Sequence, residues 1–230
     1  MSRQKLTERQ LEGLAKFKSN GGWNYVNSED PDNLKKWFDI FNSVFFNGIL
    51  SGYCELTFSH HRRPRSFWEG VGAYFLTHVP GEELDSRFRN EKVRVSISIK
   101  RIEPERKWYN DYSLVYKTEE YRNFLIHEML HAAFRIYACR CEDGCGEKFR
   151  ESEARFSSHD MTWMEAAYAI ENADKAVHTK KPHKDGIIGV TLELNLYITR
   201  CLLACWDYIP PDTELQRLGL DIKDIREQLV

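Results

Sequence analysis

The sequence predicts an α+β fold, with helices packed on a small mixed β-sheet. Two patterns carry that expectation: apolar residues recur at three- and four-residue steps in several stretches, and strict apolar/polar alternation runs from Val93 to Ile99. The chain has 230 residues and is 42% apolar, enough to bury a sizeable core and to exclude disorder for most of its length.

The first predicted helix opens at Thr7, which caps it, with Gln10 at the reciprocal capping-box position, a Leu6–Leu11 staple, and a stripe of Leu11, Leu14 and Phe17. After Gly21-Gly22-Trp23, Asp32 is expected to cap a second helix whose Leu34, Trp37, Phe38, Phe41 and Phe45 face the core. Three strands are predicted next, over 54–58, 71–76 and 93–99, with a charged loop between the first two where Pro64 disfavours a central strand. A third helix is expected from Thr118, with Glu119 and Glu120 in its first turn, through Ile136. It is apolar nearly all round, which predicts a buried central helix. Helical spacing returns over 151–172 with Trp163, Ala167 and Ile170 on one side. A polar linker follows, then an alternating segment from Val190 to Ile198, a stop at Pro210-Pro211, and a short helix capped by Asp221.

Charge and composition narrow the function. Lys and Arg total 33 against 35 Asp and Glu, a formal charge of −2, so a globally basic polyanion binder is excluded and nucleic-acid contact would need a local patch. No apolar run is long enough for a membrane span, and the first 20 residues are charged where a signal peptide needs an apolar run; an intracellular protein, nuclear or cytoplasmic, is expected. Six cysteines in such a chain do not read as a disulfide framework.

The third helix carries His127-Glu128-Met129-Leu130-His131, an H-E-x-x-H pattern. Histidines four apart share one helical face, so their ring nitrogens can take adjacent corners of a tetrahedral Zn²⁺ site. Glu128, one position round the helix, is placed to accept a proton from zinc-activated water and return one to the leaving amine. With 8 histidines in the chain, the pattern arises by chance in roughly one such chain in forty, so its helical setting has to add weight. Three polar side chains on so apolar a helix are costly to bury without a metal or hydrogen-bonding role. A third protein ligand is needed, and His159 is the candidate, with Glu151 or Glu153 as the rival.

At these residues the chain resembles the SprT-like family of zinc metalloproteases, which includes the Spartan proteases acting on DNA–protein crosslinks. The resemblance runs from about Leu34 to Asn172. Phe45-Phe46-Asn47-Gly48-Ile49-Leu50 is similar to the family's F-F-x-G-x-L ending of an aromatic helix, and Leu56-Thr57-Phe58-Ser59 and Gly70-Val71-Gly72-Ala73-Tyr74 to its first two strands. Leu125 to Ala132 resembles its active-site helix, and His159-Asp160-Met161-Thr162-Trp163 its H-G-x-x-F/W segment, with Asp160 in place of the usual glycine. The resemblance implies a zincin-like metalloprotease domain over 31–173, preceded by a helical extension (1–30) and followed by a polar linker (174–189) and a C-terminal extension packing on the domain (190–230). It implies Zn²⁺ held by His127, His131 and His159, with Glu128 as general base. The activity implied is that of a zinc-dependent metalloendopeptidase acting on protein substrates, in one branch those bound or crosslinked to DNA. No paired C-x-x-C zinc ribbon follows the catalytic region. A catalytically inactive, zinc-stabilised protein- or DNA-binding module is the alternative; Glu128 argues against it, because a structural zinc site has no use for an acid beside an open position.

Single-stranded DNA is an expected partner through local basic loops, Arg62, Arg63 and Arg65 beside His60 and His61, or Lys180, Lys181 and Lys184; a merely solvated loop is the plainer reading. Cys139, Cys141 and Cys145 with Cys201 and Cys205 match no standard zinc-knuckle spacing and read first as free or buried thiols, with a second zinc or a disulfide such as Cys141 to Cys145 as alternatives. Trp68, Tyr74 and Trp108 are core or cleft residues, and His178 and His183 linker residues.

Overall fold

The computed structural model describes residues 6–20, 23–24, 27–59, 73–77, 95–101, 114–138, 145–147, 161–176, 211–217 and 223. The chain divides into two compact units, Met1–Tyr137 and Ala138–Val230. The first is α+β: two helices, three strands of a mixed sheet and a long third helix. No helix among the described residues is long and apolar enough to cross a membrane.

Helix α1 (Glu8–Asn20) starts at the expected capping box: Gln10 N donates to Thr7 Oγ1 at 3.2 Å and Thr7 N to Gln10 Oε1 at 3.0 Å. Leu6 and Leu11, however, lie exposed, so the buried stripe is Leu14 with half-buried Phe17, and Gly13 lets α1 come close to Ser43 and Val44 of the next helix. Helix α2 (Pro31–Phe45) is capped by Asp30 rather than Asp32. Pro31 has its φ preset for the first helical position, so the helix begins there, and Asp30 accepts from Asp32 N at 3.0 Å. Leu34, Trp37, Phe38 and Phe41 are buried as expected, while Phe45 is only half-buried. Beyond α2, Asn47 and Gly48 both take positive φ, and a Cβ on Gly48 would run into the Arg9 guanidinium. Asn42 Oδ1 accepts from Leu50 N at 3.1 Å, pinning the turn that delivers the chain to the sheet.

Strand β1 (Cys54–Ser59) pairs parallel with β3 (Val95–Lys100), and β2 (Ala73–Thr77) pairs antiparallel with β3, giving the order β1-β3-β2. Each strand matches its predicted segment within about two residues at either end, the usual uncertainty of a pattern-based boundary. Val95, Ile97 and Ile99 are almost wholly inaccessible, as a central strand requires, and Ser98 Oγ lies 3.0 Å from Thr57 Oγ1 across the parallel pair.

Helix α3 (Leu114–Tyr137) packs on β3, β2 and α2. It begins one turn before the expected Thr118, so Thr118 is buried within the helix and Glu119 and Glu120 fall past its first turn. The early turns are held from outside: Lys117 Nζ and Tyr121 Oη both donate to Glu29 Oε1, at 2.6 and 2.8 Å. In the second unit, α4 (Met161–Ala176) buries Trp163, Ala167 and Ile170 on the side the spacing predicts. It continues four residues past the expected end at Asn172. A short α5 (Asp212–Arg217) follows Pro211, where the sequence reading placed only a stop; proline suits a helix start as well as it ends one. The alternating segment over 190–198 and the Asp221 cap lie outside the described residues.

Candidate functional site

The H-E-x-x-H residues fall in the middle of α3, flanked by Leu125, Ile126, Met129 and Ala132, none of which reaches solvent. Burial of these side chains against the sheet and α2, worth roughly 1.5–3 kcal/mol for each large one, holds the helix where the polar residues must also be inaccessible. His127, Glu128 and His131 are only 7%, 5% and 3% exposed.

The i, i+4 spacing brings the two imidazoles together: His127 Nε2 and His131 Nε2 stand 3.0 Å apart, with ring planes at 69° and centroids 4.7 Å apart. Two nitrogens each about 2.0–2.1 Å from a tetrahedral zinc would be separated by about 3.3 Å. The pair therefore fits two ligand positions with a shift of only a few tenths of an ångström. Glu128 follows on the same turn, fully enclosed, and its Oε2 meets no hydrogen-bond partner. Burial pushes its carboxyl up to about 8. Two convergent imidazoles and a buried carboxyl within one stretch of five residues on an apolar helix are groups that can bind a borderline metal and move a proton.

The carboxyl shift has a consequence for the metal-free chain. Because the folded-state value lies above the ordinary one near 4.5, the folded protein keeps a proton that the unfolded chain releases, and stability falls as pH rises from about 4.5 to about 8. Glu128→Gln removes that titration. In the presence of chelator, the variant is expected to match the parent at pH 4.5 and to exceed it by a few kcal/mol at pH 8. Urea denaturation at the two pH values measures this; equal pH slopes for the two proteins would refute it.

His159, Glu151 and Glu153 lie outside the described residues, as do Arg62, Arg63, Arg65, His60, His61, Trp68, Trp108, His178, His183 and Lys180, Lys181 and Lys184. So do Cys139, Cys141, Cys201 and Cys205. Among the described residues no group of three or more His, Cys, Asp or Glu converges to hold a metal. Tyr74 sits on β2, where Cα pairing sets it opposite Ser98. Cys54, at the start of β1, is a free thiol that burial pushes up to about 12, which makes it a poor nucleophile and ligand.

One feature had no signal in the sequence. Glu29, in the turn before α2, gathers Lys117 and Tyr121 from α3 and lies 3.4 Å from Arg101 Nη1 at the end of β3. Burial works against its ionisation, yet the hydrogen bonds from Lys117 and Tyr121 and the charges of Lys117 and Arg101 hold the carboxyl below its usual range. Its partners on α3 are 88 and 92 residues away in the chain, beyond any local pattern.

Comparison of the chain with protein-family models, with curated proteins and with solved structures gives no match.

Proposed function

We propose that the protein is a zinc-dependent metalloendopeptidase with a zincin-like arrangement around α3. The observation that carries this reading is the convergence of two buried imidazole nitrogens, 3.0 Å apart, on the helix that also buries Glu128. His127 and His131 would hold Zn²⁺ and His159 would complete the protein ligands, leaving one position open. The metal would supply Lewis acidity, acidifying a water and polarising the scissile carbonyl. Glu128 then takes the proton of the attacking water and passes it to the leaving amine, a role suited to a carboxyl whose value is raised toward neutrality. The burial of Glu128 itself, only 5% exposed, keeps bulk water from competing for that proton.

Substrate would be an extended, unfolded segment. Among the described residues β2 is an edge strand of the sheet and α3 packs beneath it, so a peptide added along β2 would gain backbone hydrogen bonds with little sequence preference.

A link to DNA is favoured by one observation. Arg101 N donates to Ser59 O at 3.1 Å, so the parallel pairing puts Arg101 beside the last residue of β1, from which the arginine-rich run of 60–65 departs. By its sequence that run is a local concentration of basic residues in a chain that is acidic overall, the kind of patch single-stranded DNA binding requires.

One experiment addresses both. Zinc-loaded protein is expected to cleave an unfolded protein and to lose that activity to chelator. Single-stranded DNA is expected to speed cleavage of a DNA-binding substrate by about 10²-fold or more, through effective concentration. Changing Arg62, Arg63 and Arg65 to glutamate would abolish the acceleration and spare the basal rate. Cleavage that ignores DNA would leave a peptidase unconnected with it; no cleavage with zinc bound would leave the binding-module alternative.

A further inference from the structure

We propose that Glu29 is a positioning residue for the site on α3, fixing the rotational phase of the helix through Lys117 and Tyr121; the inference rests on reading that helix as a peptidase site. Glu29 Oε1 accepts two hydrogen bonds from α3, at 2.6 Å from Lys117 Nζ and 2.8 Å from Tyr121 Oη, and Oε2 faces Arg101 at 3.4 Å. One carboxylate thus joins the turn before α2, the end of β3 and the first turns of α3.

The two α3 donors lie on the helical face that ends in Glu128. Tyr121 and Glu128 are seven residues apart, which at 100° per residue returns the side chain to within about 20° of the same direction. Lys117, four residues before Tyr121, belongs to the same stripe. Tyr121 also makes ring contacts, to Trp23 at 5.8 Å and Phe58 at 5.3 Å between centroids, and flat apolar contacts tolerate sliding. The hydrogen bonds to Glu29 are directional, so they set the angle at which the helix lies on the sheet. A rotation of 10° about the axis displaces a side-chain atom about 6 Å from it by about 1 Å. Displacements of that size are enough to cost about 10²-fold in a positioned proton transfer. The mutual geometry of His127 and His131 is set within a single helix turn and survives such a rotation. Loss of Glu29 therefore moves Glu128 and the two imidazoles together relative to substrate and to any ligand from outside the helix, while the spacing of the imidazoles stays as it is. It also leaves Lys117 and Arg101 without the acceptor they share.

The test uses the full zinc-loaded chain, with Glu29→Ala, Glu29→Gln, Tyr121→Phe and, as a control destabilised elsewhere in the core, Leu14→Ala. Amide hydrogen exchange over 114–131 is expected to rise about tenfold in Glu29→Ala, and not in Leu14→Ala. Against an unfolded protein, kcat per bound zinc is expected to fall about 10- to 100-fold in Glu29→Ala with KM within about twofold. Glu29→Gln, which keeps an oxygen acceptor for both donors, is expected to restore most of both. Tyr121→Phe removes one hydroxyl and keeps the ring contacts, so it reports even if Glu29→Ala fails to fold; a rise in exchange and a fall in kcat of about threefold are expected. Unchanged exchange in Glu29→Ala or Tyr121→Phe, or an equal rise in Leu14→Ala, overturns the proposal. A parent protein that binds zinc without cleaving refutes the peptidase reading instead, and the exchange measurements still decide whether Glu29 anchors the helix.

Discussion

Glu128→Gln is expected to keep its zinc and to lose about 10²–10⁴-fold in kcat, the range that a positioned general base contributes. The split follows from the division of labour on α3. His127 and His131 supply the converging nitrogens, and neither ring depends on the neighbouring carboxylate for its position, because both are set by the i, i+4 geometry of one helix. Gln fills the space of Glu and keeps an oxygen that can orient water, but it cannot take a proton. Metal analysis and cleavage of an unfolded protein, run on the same preparation, check the prediction. Full activity in the variant would remove Glu128 from the mechanism, and loss of metal would make it a ligand.

The second large effect concerns the ligand that completes the site. His159→Ala is expected to weaken zinc binding by about 10²–10³-fold, since an apparent binding free energy of about 10–16 kcal/mol shared over four positions assigns about 2.5–4 kcal/mol to each. Glu151→Ala and Glu153→Ala are expected to change the affinity less than about threefold, because the charged run from Glu147 to Arg155 reads by its sequence as a solvated face, where a carboxylate contributes little beyond screened attraction. Competition with a coloured chelator measures all three. If Glu153→Ala strips the metal and His159→Ala does not, the third ligand is an acid, and the segment before α4 plays a different part from the one its resemblance implies.

Residues close in the chain made much of this legible before any coordinates. The capping box of Thr7 and Gln10, the apolar face of α2, the alternation that became β3 and the pairing of His127 with His131 all depend on partners within seven residues, where helix and strand geometry leave few choices. Even the local errors were local in origin: Asp30 displaced Asp32 as a cap because Pro31 starts the helix.

What tertiary structure decided involves partners far apart. The order β1-β3-β2, with a parallel pair between segments about 40 residues apart, has no counterpart in any periodic signal. Leu11 repeats the spacing of a buried stripe yet stays in solvent, because α1 meets α2 along Gly13 and Leu14 instead. The motif named the two histidines and the acid, but the burial that leaves Glu128 Oε2 without a partner and lifts its carboxyl comes from helix, sheet and α2 closing together. Glu29 shows the limit most plainly: an ordinary acid in a polar turn becomes the shared acceptor of Lys117 and Tyr121 only when 88 and 92 residues of intervening chain have folded, since a hydrogen bond is a matter of distance in space and the sequence records distance along the chain.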